Sequence, residues 1–155
     1  MLTDAHITKT ENIIDYVIDD GTKIIPIKNK YGDILAKVKF RTTDINITER
    51  AEGAKGDIAE ILSGLKNISI KPDGTTDDAD NMKVLREAKR KLTEKINGIF
   101  GDNVCTELFE KCSPFSPVSG RFFADIVVET LVKIIDNEMT AEQEKIIGEY
   151  TSDLR

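Results

Sequence analysis

The long apolar segment at residues 119–137 constrains the fold more than any other part of this chain. Its apolar side chains recur at steps of three and four residues, which is the spacing of one helix face: Phe123, Ile126, Val127, Thr130, Leu131, Ile134 and Ile135. Three charged residues lie within it at four-residue spacing: Asp125, Glu129 and Lys133. The β-branched residues at 126–128 would also suit a buried strand. The charge spacing favours a helix and argues against a membrane span, so we expect other parts of the protein to cover it.

Length and charge limit the class of protein. The 155 residues fit one domain with one core, and the net charge of −6 argues against a nucleic-acid partner. The first residues contain neither the basic nor the apolar region of a signal peptide, so we expect a cytoplasmic protein. Cys105 and Cys112 have no second pair and no flanking histidines, which predicts reduced thiols.

A β-hairpin is predicted over residues 22–41, after an N-terminal arm at residues 1–21. The apolar cluster at residues 13–18 fits a short helix or an edge strand, and we interpret the arm as extended with one ordered patch. Period-two alternation lies on both sides of turn-forming residues 29–33. The residues predicted to share one face of the second strand are Ile34, Ala36, Val38 and Phe40. Pro26 cannot donate to a ladder, which places the first strand at an edge or a bulge. This hairpin is either a lid on the helices or an edge that accepts another chain.

A helix and an acidic loop are predicted after the hairpin. Asn46 and Glu49 have the spacing of a capping box, which predicts a helix start. Gly53 and Gly56 indicate either close helix packing or a bend. An acidic loop over residues 67–80 lacks the ligand spacing of a calcium site and is interpreted as a loop ending in a helix cap.

Residues 79–100 show the clearest helical pattern, and Gly101 is the expected stop signal. The face opposite the apolar stripe is basic: Lys83, Arg86, Lys89, Arg90, Lys91 and Lys95. It is either a solvated face or a site for an acidic protein. A short helix is predicted over residues 102–111, and a proline-containing loop then leads into the central segment.

The predicted fold is therefore mainly α with one N-terminal β-hairpin (α+β). Residues 22–138 form the helical domain, and a capping-box pattern at Thr140 and Gln143 predicts a separate short helix with a frayed end over residues 139–155. The predicted core residues are Leu85, Leu92, Ile96, Phe100, Phe123, Val127, Leu131 and Ile134. No catalytic, cofactor-binding or metal-binding residues are predicted, because the sequence has no glycine-rich phosphate loop, paired nucleophile and base, or metal-ligand cluster.

The order of short sequence words over residues 37–138 is similar to that of a known family. Two predicted elements contribute, namely a hairpin ending in Phe40 and a final Phe-rich helix. Between them lie four short motifs: Thr42-Thr-Asp44-Ile-Asn-Ile-Thr-Glu-Arg50, Ile-Phe-Gly101, Leu108-Phe109 and Ser113-Pro-Phe115. Together they resemble the small tail assembly chaperones of siphophages and prophages of Gram-positive bacteria. The resemblance implies a helical protein that coats the phage tape measure protein, keeps it soluble and helps to recruit tail tube subunits.

For such a client, the predicted binding residues are the large apolar groups expected near the surface: Phe109, Phe115, Ile146, Ile147 and Tyr150. The basic face at Arg86 and Arg90 is the second predicted surface. Self-association is also expected, from the hairpin edge and the wide apolar face of residues 119–137. Two other functions remain open, namely a virion component such as a tail tube or completion protein, and a cytoplasmic protein-binding regulator.

Overall fold

The computed structural model describes residues 13–101 and 103–153. Its elements in chain order are β1 (Thr22–Lys28), β2 (Ile34–Arg41), α1 (Ile47–Ser63), α2 (Ala79–Phe100), α3 (Val104–Lys111), β3 (Pro117–Val118), β4 (Arg121–Phe122) and α4 (Phe123–Asp153). The predicted mainly α fold with an N-terminal hairpin is confirmed. Residues 13–21 of the predicted arm form no helix or strand, and residues 1–12 lie outside the described part of the chain.

The β1–β2 hairpin contains a bulge that changes which residues face the core. Ile27 pairs with Ala36, but Lys28 pairs with Ile34, so Leu35 has no partner across the ladder. Such an extra residue reverses the faces on either side of it. Leu35 therefore packs against the core, while Ile34 is 47% exposed. The prediction that Ile34 shares the buried face is wrong, whereas Ala36, Val38 and Phe40 are buried as predicted.

Helix α1 begins at the predicted position by a different mechanism. The Asn46 side chain makes no capping hydrogen bond. Instead, the main-chain N–H of Asn46 donates to Asp44 Oδ1 at 3.1 Å, so the capping box is wrong. Gly53 and Gly56 are exposed and an added Cβ would meet no neighbour, and the helix continues through both. They therefore do not mark close helix packing.

Both ends of α2 agree with the sequence prediction. The Asp78 side chain accepts a hydrogen bond from the N–H of Asn81 at 2.9 Å, and Gly101 ends the helix in the left-handed region with φ of 67°. The residues of α2 that are buried form the apolar stripe of the helical pattern: Leu85, Ala88, Leu92, Ile96 and Ile99. Helices α1 and α2 run antiparallel. This arrangement brings Lys95 of α2 beside Asp57 of α1, and the two form an ion pair of 3.3 Å.

Helix α4 is continuous from Phe123 to Asp153, so the separate helix predicted over residues 139–155 is wrong. The capping-box pattern at Thr140 lies inside an unbroken helix. Lys23 on β1 forms ion pairs of 2.8 Å with both Glu138 and Glu142, which lie one helical turn apart. These ion pairs connect α4 to the hairpin on both sides of the boundary that was predicted between residues 138 and 139.

A second, very short hairpin replaces the first residues of the predicted central helix. β3 and β4 are joined by Ser119 and Gly120, with φ of 52° and 78°, as in a type I′ turn. The loop before it provides acceptors for the start of α4. The N–H of Phe123 donates to the Ser116 carbonyl at 2.9 Å, and that of Ala124 donates to the Pro114 carbonyl at 2.8 Å.

The helices and the hairpin share one hydrophobic core. Of the predicted core residues, five are buried: Leu85, Leu92, Ile96, Val127 and Leu131. Phe100, Phe123 and Ile134 lie half-buried at its margin and pack against it. The rings of Phe40 and Phe100 meet edge to face, with centroids 6.1 Å apart, which joins the hairpin to the end of α2.

Candidate partner-binding surfaces

The described residues contain no group of acidic, histidine and cysteine side chains placed to hold a metal ion. Within the same residues, no helix combines the length and the apolar character that crossing a membrane requires. Burial raises the pKa of the Cys105 thiol to about 12, so this thiol is protonated and a poor nucleophile. The described residues also form apolar and charged surfaces, which are candidate sites for a partner.

The most enclosed of these surfaces is a groove between the β1–β2 hairpin, α3 and the start of α4. We call it the hairpin groove. Its volume is about 480 Å³, within the roughly 300–1,000 Å³ typical of ligand pockets. Its apolar lining is Ile27, Leu35, Leu108, Val118, Phe123, Ile126 and Val127. Lys28 and Lys30 add positive charge at one side.

Segments that are distant in the sequence build the hairpin groove. The bulge turns Leu35 toward it, and the Ser119–Gly120 turn brings in Val118. Phe109 does not line the groove but packs against Phe123, which does. The two rings meet edge to face with centroids 6.5 Å apart. The groove therefore depends on the tertiary packing of the hairpin against α3 and α4.

Phe109 and Phe115 do not lie near the surface, so that prediction is wrong. They are only 2% and 3% exposed, respectively. Phe115 is held in a turn, where its N–H donates to Ser113 Oγ at 3.2 Å beneath the start of α4. Sequence reasoning did not select Leu108 and Val118, which line the groove. Their closeness in the chain to Phe109 and Phe115 was the only indication.

The end of α4 forms a second surface. Every residue from 143 to 151 is exposed, and this segment, which we call the α4 tip, is about 14 Å long at about 1.5 Å per residue. Its large apolar side chains are Ile146, Ile147 and Tyr150, exposed by 60%, 59% and 66%. Their predicted position at the surface is confirmed. They share one helix face with Met139, which packs against the core.

A third surface is an apolar groove between the end of α1 and the start of α2. We call it the helix groove. Its volume is about 490 Å³, and its apolar lining is Ile61, Leu65, Val84 and Ala88. Four charged residues also line it: Glu60, Lys83, Glu87 and Lys91.

Arg86 and Arg90 both lie exposed on α2, as the predicted basic face requires, but their surroundings differ. Arg90 forms ion pairs with Glu87 at 2.7 Å and with Glu94 at 3.0 Å. Arg90 also holds the pKa of the Glu87 carboxyl below its usual value. Arg86 forms no ion pair within the described residues, so of the two it is the more available to an acidic partner.

The hairpin and the arm leave further groups exposed. β1 pairs only with β2, so its outer edge is open in the described structure. The apolar side chains of the preceding arm are largely exposed: Ile13, Ile14, Tyr16, Val17 and Ile18.

Comparison with known proteins finds no matching family model, no matching curated protein and no matching solved structure.

Proposed function

We propose that this protein is a non-catalytic tail assembly chaperone of a phage or prophage. In this proposal it binds an amphipathic segment of the tape measure protein in the bacterial cytoplasm, keeps that client soluble and helps to recruit tail tube subunits. The observation that supports it best is the hairpin groove, an apolar site of about 480 Å³ open to a partner.

The lining of the groove suits a helical client. An amphipathic helix binds by placing apolar side chains from successive turns into such a groove. Burying one large apolar side chain contributes about 1.5–3 kcal/mol, so two or three anchors suffice for a specific complex. Lys28 and Lys30 favour a client with acidic residues beside its apolar stripe.

The charge of the protein suits the same role. A chaperone must keep its complex with an apolar client in solution, and a net charge well away from zero opposes aggregation. The chain has a net charge of −6. Filling an apolar groove does not neutralise this charge, so the protein's contribution to the solubility of the complex is retained.

Co-expression with the tape measure protein encoded in the same genome tests this proposal. The wild-type protein should increase the soluble fraction of the tape measure protein. Val118→Asp places a carboxylate in the apolar lining at a side chain that is already 42% exposed. We expect it to weaken binding by about tenfold or more, without a change in thermal stability.

Ile24→Asp is the matched control, because Ile24 is 62% exposed on β1 and lies outside both grooves. It should rescue the client as well as the wild type does. Equal rescue by Val118→Asp would place the client on another surface. No rescue by the wild-type protein would reject the chaperone function.

A structural component of the tail is the second candidate. The open edge of β1 and the exposed apolar arm at residues 13–18 support it, because strand edges and extended arms commonly join neighbouring subunits. Stoichiometric protein in purified particles would favour this function, and its absence from particles would favour the chaperone.

A further inference from the structure

We propose that the protein assembles head to tail, with the α4 tip of one copy bound in the helix groove of a second copy. This interface is separate from the hairpin groove and requires no client. It joins two surfaces that are both apolar, both exposed and opposite in charge.

The α4 tip has the character of a helix that lacks its partner. Ile146, Ile147 and Tyr150 form an apolar face that remains largely exposed in the described structure. This face continues the stripe that Met139 buries against the core. Most helical stability in proteins comes from packing of an apolar face, so a projecting segment of this length gains from being covered.

The helix groove has a complementary shape and polarity. Its apolar floor runs between two antiparallel helices, and Val84 in that floor is 46% exposed. A groove between two helices accepts a third helix through side chains spaced by three and four residues. Ile146, Ile147 and Tyr150 have that spacing.

The charges of the two surfaces also match. Glu144 and Glu149 lie on the α4 tip, where they form no ion pair with any described residue. Lys83 and Lys91 at the helix groove likewise form none with any described residue. Opposite charges of this kind orient partners and accelerate their encounter.

The negative charges at the groove do not cancel this match. Glu87 is already paired with Arg90 at 2.7 Å, which leaves Glu60 as the acidic residue without an ion pair among the described lining residues. Lys145 is the one basic side chain of the α4 tip and is paired with Glu142 at 3.4 Å. The tip is acidic, and the groove together with Arg90 is basic.

One chain cannot fill its own helix groove with its own tip. The ion pair of Lys23 with Glu138 places this part of α4 beside the start of β1. That end of the hairpin adjoins the end of α2, through Phe40 and Phe100. The helix groove lies at the start of α2, about 20 Å away along the helix. Because α4 is continuous, the tip cannot bend back over that distance, and a second molecule must supply it.

A contact between two different surfaces of the same chain is heterologous. A dimer joined in this way still has one free tip and one free groove, so further copies can add and such contacts produce rings or open chains. The mass of the assembly should therefore increase with protein concentration. Self-association was also expected from the sequence, but there through the hairpin edge and the apolar face of residues 119–137. The interface proposed here lies elsewhere, between the α4 tip and the helix groove.

Two complementary variants of the purified full chain test this interface. Ile147→Asp should abolish binding by the α4 tip, and Val84→Asp should abolish binding by the helix groove. Both side chains are exposed, so the fold should persist, and a thermal melt checks this. In sedimentation velocity over a concentration series, the wild type should form growing assemblies, and each variant alone should be a monomer. Their equal mixture should form a dimer and nothing larger, because it contains one intact tip and one intact groove.

Ile24→Asp is again the matched control and should associate as the wild type does. A charge exchange adds a second test. Glu144→Lys with Glu149→Lys should raise the dissociation constant by at least about tenfold, or about 1.4 kcal/mol. Combining these two substitutions with Lys83→Glu and Lys91→Glu in the same chain should restore association, because tip and groove are then again opposite in charge. The interface would be overturned if the wild type were monomeric at every concentration. It would also be overturned if Ile147→Asp or Val84→Asp associated as the wild type does, or if the mixture of these two variants remained monomeric. None of these results depends on the tape measure protein.

Discussion

Arg50, in the first turn of α1, donates two hydrogen bonds to the main-chain carbonyl of Ile99 near the end of α2. One comes from Nε at 3.1 Å and the other from Nη2 at 2.8 Å. The same guanidinium is paired with Asp44, whose carboxyl also accepts from the N–H of Asn46. These bonds hold the pKa of Asp44 below its usual value, with Arg50 as the main cause. One side chain thus joins the loop after β2 to two helices.

Replacing Arg50 with methionine should lower the free energy of unfolding by about 1–2 kcal/mol. Charged hydrogen bonds contribute about 1.5–3 kcal/mol, and the 38% exposure of this side chain reduces the effect through solvent screening. Urea unfolding followed by circular dichroism measures the change. Arg90→Met removes two exposed ion pairs on α2, and because solvent screens such pairs its effect should be clearly smaller. Equal losses in the two variants would show that the bonds to Ile99 contribute little.

Gly74→Ala should destabilise the protein strongly. Gly74 has φ of 83°, and an added Cβ would lie 1.9 Å from Ser113 Oγ and 2.4 Å from Ser113 Cβ. The loop before α2 would have to separate from the turn before β3, at a cost of about 2 kcal/mol or more. Differential scanning calorimetry should show a lower melting temperature.

Gly53→Ala is the opposite case among the glycines. Gly53 lies in the exposed face of α1 and an added Cβ meets nothing. Alanine should therefore stabilise the helix by about 0.5–1 kcal/mol. A melting temperature that falls in this variant would indicate a role for Gly53 that its surroundings do not explain.

Leu131→Asp should unfold the domain. Leu131 is fully buried in α4, and aspartate would place an unpaired charge in the core. Circular dichroism at ordinary temperature should show loss of helix. Asn137→Asp introduces the same carboxylate at an exposed position of α4 and should leave the melt almost unchanged. A folded Leu131→Asp protein would contradict the central position of this helix.

The ion pairs of Lys23 should make a pH-dependent contribution to stability. Hydrogen bonds to Glu138 and Glu142 raise the pKa of Lys23 above 10.5, and Lys23 is the main cause that lowers the pKa of Glu142 below 4.5. The lysine contribution is complete below pH 10.5 and is lost as pH rises through the raised pKa. The Glu142 contribution is complete above pH 4.5 and is lost as pH falls through the lowered pKa.

Lys23→Met should therefore be less stable than the wild type near neutral pH, and the two melting temperatures should converge in strong acid and strong alkali. Lys133→Met is the control, because its ion pair with Glu129 is more exposed, with 68% of the Lys133 side chain accessible. Its difference from the wild type should be smaller at every pH. A constant difference for Lys23→Met would show that it acts through packing alone.

Local patterns determined the elements whose causes lie within a few residues of each other. Helix α2 is the clearest case, because Asp78 at its start, Gly101 at its end and the apolar stripe between them all act through neighbouring backbone. The β1–β2 hairpin follows from alternation on both sides of a turn. The exposed position of Ile146, Ile147 and Tyr150 was also predicted, although the same argument failed for Phe109 and Phe115.

Tertiary contacts decided the rest. Thr140 has a pattern for starting a helix, yet α4 continues through it, because Lys23 fastens both sides of that position and Met139 remains packed. Phe109 and Phe115 are buried because α4 begins over them, and the hairpin groove exists only where β2, α3 and β3 meet α4. Periodicity in a sequence reports which face of an element is apolar, whereas the segment that covers that face is chosen by long-range packing of the whole chain.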